Sequence, residues 1–264
     1  MPHRPRKRFG QHFLHDPAVI ERIVAAFDPR PGQIIVEIGP GRGALTLPLL
    51  ARVPVLHVVE LDRDLAARLP ALAAGRGELV VHQADALAFD FAGLAGGGKL
   101  RLIGNLPYNI STPLLFHLLA QAHAIADMLF MLQKEVAERL TAPPGDAAYG
   151  RLSVMVQWHC EVERLFDIGP GAFQPPPKVH SSVVRLRPRP APVAGIDADR
   201  LSELVQAAFA QRRKTLRNSL RTLLDAGAFE RAGIDPARRP EELTLEEFAR
   251  LSAAAASSEI GPRR

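Results

Sequence analysis

The chain has 264 residues, 47% of them hydrophobic and 23% charged, with 33 Lys and Arg against 28 Asp and Glu for a net charge of +5. This is enough apolar material for one sizeable core and a small second one; no run approaches the ~18 apolar residues of a membrane helix, and a single Cys excludes an internal disulfide framework or a Cys-based zinc site. A lone thiol fits a reducing compartment, so a cytosolic protein is expected, and the basic balance favours polyanionic partners.

At the start, Arg4, Arg6, Lys7 and Arg8 make a basic arm. MPHRPRKRFGQHFL meets Gly10, Gln11 and His12 instead of a continuous apolar stretch, so it does not read as a signal peptide. Short runs rich in branched residues at 33–39, 55–61, 78–85, 99–105 and 127–133 read as strands. Helical patterns lie between them at 44–52, 63–74 and 112–123, where Pro113 suits a first turn, and EVAERL (135–140) follows the fifth strand. The alternation predicts βα units and a parallel sheet. Two further apolar segments, 153–168 and 180–188, are expected to pair antiparallel at one edge, giving a mixed sheet of about seven strands.

After Arg187 the composition becomes Pro-rich, and RPRPAPVAGIDA (187–198) reads as a linker. Beyond it the patterns are helical only: one long helix from Leu201 to a stop at Gly227, and a last one over 243–258. The expected organisation is an α/β domain, residues 1–188, and a small all-α domain, residues 189–264. On the long helix Arg212, Arg213, Lys214, Arg217 and Arg221 recur, with 213, 217 and 221 on one i, i+4 face. Such a run is either a solvated face or a phosphate-binding one.

The residues that could carry chemistry fall at strand ends. Glu37-Ile-Gly39-Pro-Gly41-Arg-Gly43-Ala44 is a glycine-rich turn after the first strand, where the backbone can approach a ligand closely. Gly39-x-Gly41-x-x-Ala44 also satisfies the nicotinamide dinucleotide fingerprint, and an ordinary βα turn has the same form. Glu60 comes 21 residues after Gly39, at the end of the second strand, where a carboxylate can accept both hydroxyl protons of a ribose. Asp85 ends the third strand and Asn105 the fourth. Ligands of open parallel sheets bind at those ends, so a Gly turn, two acids and an amide in register point to a nucleoside-containing cofactor.

Gly10-Gln11-His12-Phe13-Leu14, the turn at 37–46, Glu60, Asp85, Asn105-Leu106-Pro107-Tyr108-Asn109, QKEVAERL (133–140), YGRLSV (149–154) and FQPPPKVHSS (173–182) together resemble the ribosomal RNA adenine N6-dimethyltransferases of the KsgA/RsmA type. The resemblance runs in order from about Arg6 to Ser182. It implies a Rossmann-like methyltransferase sheet with a helical RNA- and ribosome-binding tail. It also implies S-adenosylmethionine as cofactor, with His12, Leu14, Gly39, Gly41, Glu60, Asp85 and Asn105 at binding positions, and no metal. The implied substrate is small-subunit (16S) ribosomal RNA on the assembling 30S particle, methylated at two adjacent adenosines near its 3′ end by a monomer in the cytosol. Some members of the family have Asn where this chain has His12.

Given that substrate, the RLIGNLPYNISTP stretch (101–113) acquires a role. The N6 lone pair is delocalised into the adenine ring, so a site that favours tetrahedral nitrogen must aim acceptors at its N–H groups. The side-chain oxygen of Asn105 and the carbonyl of Leu106 are the candidates, and Pro107 stiffens the turn. Tyr108 is expected to stack on the base, with Phe173 over its other face. A methylase of large-subunit ribosomal RNA, a non-enzymatic RNA-binding protein on the same fold and a nicotinamide dehydrogenase remain as alternatives.

Overall fold

The structure, a computed structural model, describes residues 12–190, 193, 195–211 and 213–258. The basic arm, Gly10, Gln11, Arg212 and residues 191, 192 and 194 of the expected linker lie outside them. The chain divides into two compact units, one of residues 1–137 with 161–188, the other of 138–160 with 189–264.

The first unit holds nine strands among the described residues: β1 Phe13–Leu14, β2 Ile34–Ile38, β3 Val55–Val59, β4 Glu78–His82, β5 Leu100–Asn105, β6 Ile125–Gln133, β7 Cys160–Ile168, β8 Phe173–Gln174 and β9 Ser181–Pro188. Seven form one sheet in the order β4-β3-β2-β5-β6-β9-β7, while β1 and β8 form a separate antiparallel ribbon. β2 to β6 run parallel to one another and β9 runs antiparallel to β6. Ile35, Val36 and Ile38 of β2 and Leu102 and Ile103 of β5 are buried, as central strands covered on both faces require. The chain walks outward from β2 to β4, then crosses to β5 on the other side, so a switch point lies at the carboxyl ends of β2 and β5. Gly104 lets these ends close up: a Cβ there would collide with the Ile38 carbonyl oxygen.

Polar anchors fix this frame. Asp16 caps the helix Pro17–Phe27 by accepting from the amides of Ala18 and Val19, at 2.9 and 3.2 Å. Arg101 of β5 meets Asp127 of β6 in a two-pronged ion pair of 2.7 and 2.9 Å. The helices expected at 44–52 and 63–74 are shorter, at Thr46–Leu50 and, in two pieces, Arg63–Ala66 and Leu69–Ala73. Pro70 lies in the first turn of the second piece; its missing N–H cannot extend the first.

The second unit is helical and takes in more chain than the sequence boundary allots to it. Residues 153–168 are not one strand: Arg151–His159 is a helix and only Cys160–Ile168 is extended. Leu152, Val154, Met155, Val156 and Trp158 are all buried, and an apolar run buried all round has no period to tell helix from strand. The Tyr149 hydroxyl donates to the Leu243 carbonyl at 2.9 Å, tying this stretch to the tail. The long helix expected over 201–227 is also broken, into Ala198–Phe209, Leu216–Ser219 and Ala226–Ala232. None of the described residues from Ala210 to Thr215 is buried, and Arg213 turns left-handed with φ +67°. With nothing to pack there, the helix ends, so Arg213, Arg217 and Arg221 are exposed but do not share one helical face.

Candidate active site

At the switch point, the strand ends enclose a cavity of about 330 Å³. Its first wall is the glycine turn. Gly39 and Gly41 have φ +69° and +56°, and a Cβ on Gly41 would press on the Phe13 ring at 3.2 Å. Both the left-handed backbone and the close ring therefore select glycine at 41.

Glu60 follows β3 and is 7% exposed. Its Oε2 accepts from the Gly41 amide at 3.1 Å and its Oε1 from the Asp62 amide at 2.9 Å. Burial pushes its carboxyl above the ordinary range, against the pull of those N–H donors. Beside it, Glu37 of β2 is 2% exposed and also lines the cavity. Thr46 donates its hydroxyl to Glu37 Oε2 at 2.6 Å, yet burial, reinforced by the charge of Glu60, raises Glu37 to about 8. Sequence reading gave Glu37 no role of its own. The signal was present: a carboxylate inside the apolar run IIVEI can only be buried neutral or tightly partnered.

Asp85 sits exposed at the rim, with Oδ1 accepting from the Leu87 amide at 2.9 Å. Asn105 ends β5, and its Nδ2 donates to the His12 carbonyl at 2.9 Å. A carbonyl only accepts, so the amide's NH₂ is fixed on that side and Oδ1 is left to face elsewhere. Leu106 is held through its N–H to the Met131 carbonyl at 3.2 Å. His12 Nδ1 donates to the Pro175 carbonyl at 2.7 Å, and its ring stacks against Tyr108 with centroids 5.6 Å apart and planes 29° apart. The Tyr108 and Ser181 hydroxyls share a 2.7 Å hydrogen bond; burial raises the phenol, keeping it protonated.

His12, Leu14, Gly39, Gly41, Glu60, Asp85, Asn105, Leu106, Pro107 and Tyr108 all line this one cavity. Phe173 does not. It is 2% exposed and packs in the core of the first unit, because its pairing with Leu14 in the β1–β8 ribbon turns its ring inward. Among the described residues there is no group of three or more His, Cys, Asp or Glu suited to a metal, and no helix long and apolar enough to cross a membrane.

A parallel sheet with one antiparallel strand inserted beside its last member, a glycine turn after the first strand of the sheet and an acid after the second define the Rossmann-like, S-adenosylmethionine-dependent methyltransferase class. Within that class, residues 2–257 match the ribosomal RNA adenine dimethylase family, and the chain belongs to it. It is similar to the ribosomal RNA small subunit methyltransferase A of Laribacter hongkongensis, 59% identical over 251 residues and 95% of each chain. The protein of the same name from Pseudomonas aeruginosa is 56% identical over 252 residues, 95% of this chain and 94% of that one. Among solved structures it resembles a dimethyladenosine transferase from Plasmodium falciparum, with TM-score 0.77 and 26% identity over 91% of this chain and 96% of that one. It also resembles the 23S rRNA methyltransferase ErmE, with TM-score 0.70 and 27% identity over 92% and 99%.

Proposed function

We propose that this chain transfers methyl groups from S-adenosylmethionine to N6 of two adjacent adenosines near the 3′ end of small-subunit ribosomal RNA, giving N6,N6-dimethyladenosine. The observation that carries this reading is the convergence of the Asn105–Tyr108 turn with the Gly turn and Glu60 on one cavity.

The lining fits the cofactor. Leu61, Leu65, Ala86 and Leu87 offer apolar surface for a purine, and Glu60 offers a carboxylate for a ribose diol. When bound, S-adenosylmethionine supplies an electrophilic methyl on its sulfonium. The protein's share of the chemistry lies in Asn105 Oδ1 and the Leu106 carbonyl, which accept hydrogen bonds from the N6 amine and draw the nitrogen toward tetrahedral geometry. The interactions with these dipoles strengthen as positive charge reaches the nitrogen, so no strong base is required before attack; the N6 proton becomes acidic once the methyl has arrived and passes to water. Tyr108 stacks on the flipped base, a contact worth roughly 1–3 kcal/mol. His12, Leu14, Gly39, Gly41 and Asp85 complete the cofactor side.

The helical unit, built from 189–264 together with 138–160, binds the ribosomal RNA, with Arg213, Lys214, Arg217 and Arg221 as exposed phosphate contacts. The substrate is the assembling 30S particle, and the protein acts as a cytosolic monomer. The test is transfer by the purified protein onto small subunits from cells lacking it, with mass mapping of the product. Two methyls on each of two neighbouring adenosines are expected. Transfer to large-subunit RNA, or a monomethyl product alone, would overturn the assignment.

A further inference from the structure

The segment 173–181 carries Phe173, the ring that the sequence assigns to the target base. It reaches the cleft residues instead with a backbone carbonyl and a hydroxyl: Pro175 O accepts from His12 Nδ1, and Ser181 Oγ bonds the Tyr108 hydroxyl at 2.7 Å. Ser181 is fully buried and opens β9. Its position is set by the sheet, since it pairs with Gln133 of β6 and the preceding His180 carbonyl accepts from the Lys134 amide at 2.9 Å. Its hydroxyl is therefore a fixed point.

Tyr108 needs one. It sits in the turn after β5, half-buried, and lines the cavity. Two side-chain torsions separate the backbone from the ring plane, and the second is soft. A hydrogen bond at the far end of the ring, with the His12 imidazole stacked nearby, removes that freedom.

We propose that Ser181 is a positioning residue for methyl transfer: its hydroxyl anchors Tyr108 so that the ring presents one fixed face to the adenine, which sets where N6 lies relative to Asn105 Oδ1. The proposal rests on the reaction given above. Misplacing a reacting atom by a fraction of an ångström slows transfer without changing how the cofactor is held. Ser181 has no place among the residues lining the cavity, so its effect runs through Tyr108.

The test is a double-mutant cycle on methyl transfer to undermodified small subunits, with cofactor affinity measured separately by calorimetry. A hydrogen bond of ordinary net strength predicts that Ser181→Ala lowers kcat about three- to tenfold, with the dissociation constant for S-adenosylmethionine unchanged within about twofold. Tyr108→Phe should give a loss of the same size, and the double variant should be no slower than either single one. A general loosening of β9 would instead slow both backgrounds equally. Should the alanine variant not fold, Ser181→Cys keeps the volume with a weaker partner and is expected between wild type and Tyr108→Phe. Wild-type turnover by Ser181→Ala, or a loss that persists undiminished in the Tyr108→Phe background, would overturn the anchor while leaving the reaction standing. A wild-type protein that transfers nothing would overturn both.

Discussion

Replacing Glu37 by Gln should remove a dependence of stability on pH. Glu37 is 2% exposed, its Oε2 accepts the Thr46 hydroxyl at 2.6 Å, and burial holds its carboxyl at about 8, against the ordinary 4.5. Between those values the folded protein keeps a proton that the unfolded chain has released. The native state then binds more protons than the unfolded one, so stability falls as pH rises through that window and is flat outside it. At about 1.36 kcal/mol per pH unit, roughly 3 kcal/mol is given up between pH 4.5 and pH 7. Gln cannot ionise and keeps an oxygen for Thr46. Whatever constant offset the variant carries, its stability relative to wild type should therefore improve by ~3 kcal/mol from about pH 5 to about pH 8. Urea unfolding of both proteins at four pH values across that range measures it directly. A difference that stays constant within about 0.5 kcal/mol would show that Glu37 ionises normally and would refute the reasoning.

Glu60→Gln should weaken S-adenosylmethionine binding about 10- to 100-fold by removing a charge-assisted acceptor; unchanged affinity by calorimetry would take Glu60 out of the site. Asp167 is held well below the usual carboxylate range by Arg164, then by the Ser182 hydroxyl and Lys134. Its stabilising effect is therefore present above the unfolded value of 3.8 and lost as pH falls toward the folded one, so Asp167→Asn should melt below wild type at neutral pH, with the gap closing in acid. An equal gap at both would refute this. Arg213→Gln with Arg217→Gln should weaken binding to ribosomal RNA and flatten its salt dependence, by about 0.9 in the log–log slope per lost duplex contact or about 0.7 per single-strand contact. An unaltered slope would make both residues part of a solvated face.

The parallel half of the sheet was legible because its strands are short, branched and uninterrupted: QIIVEIG contains β2 and DMLFMLQ most of β6. The cavity was legible for a related reason. A parallel sheet gathers its carboxyl ends, so residues ending successive strands must be neighbours, and the sequence displays them one strand at a time. Long-range partners left no such trace. Tyr108 and Ser181 are 73 residues apart, His12 and Pro175 are 163 apart, and no local period connects either pair. The same limit explains Phe173, whose inward turn comes from a two-residue ribbon with Phe13–Leu14. In the helical unit the errors were of period. Apolar spacing continues across 201–227, but the polar stretch after Ala210 has no core to pack against, and packing decides where a helix ends.

In the proposed reaction, placing two methyls on one nitrogen would make conflicting demands on the cleft, and the Asn105 amide offers a way to reconcile them. The first transfer meets an amine with two N–H groups, so both Asn105 Oδ1 and the Leu106 carbonyl can be engaged. The second meets a nitrogen that has one N–H left, and only one acceptor can be used. If the Asn105 amide could turn over, it would then offer its own N–H groups to the amine and repel it. Donation from Nδ2 to the His12 carbonyl prevents this, because that carbonyl has no proton to exchange for one of the amide's. On that reading acceptor polarity would survive both steps, while the loss of one hydrogen bond would shift the task of holding the base toward the Tyr108 ring. A ring anchored at its hydroxyl and stacked with His12 would carry that load for either substrate, since a π-face does not depend on how many methyls the amine bears.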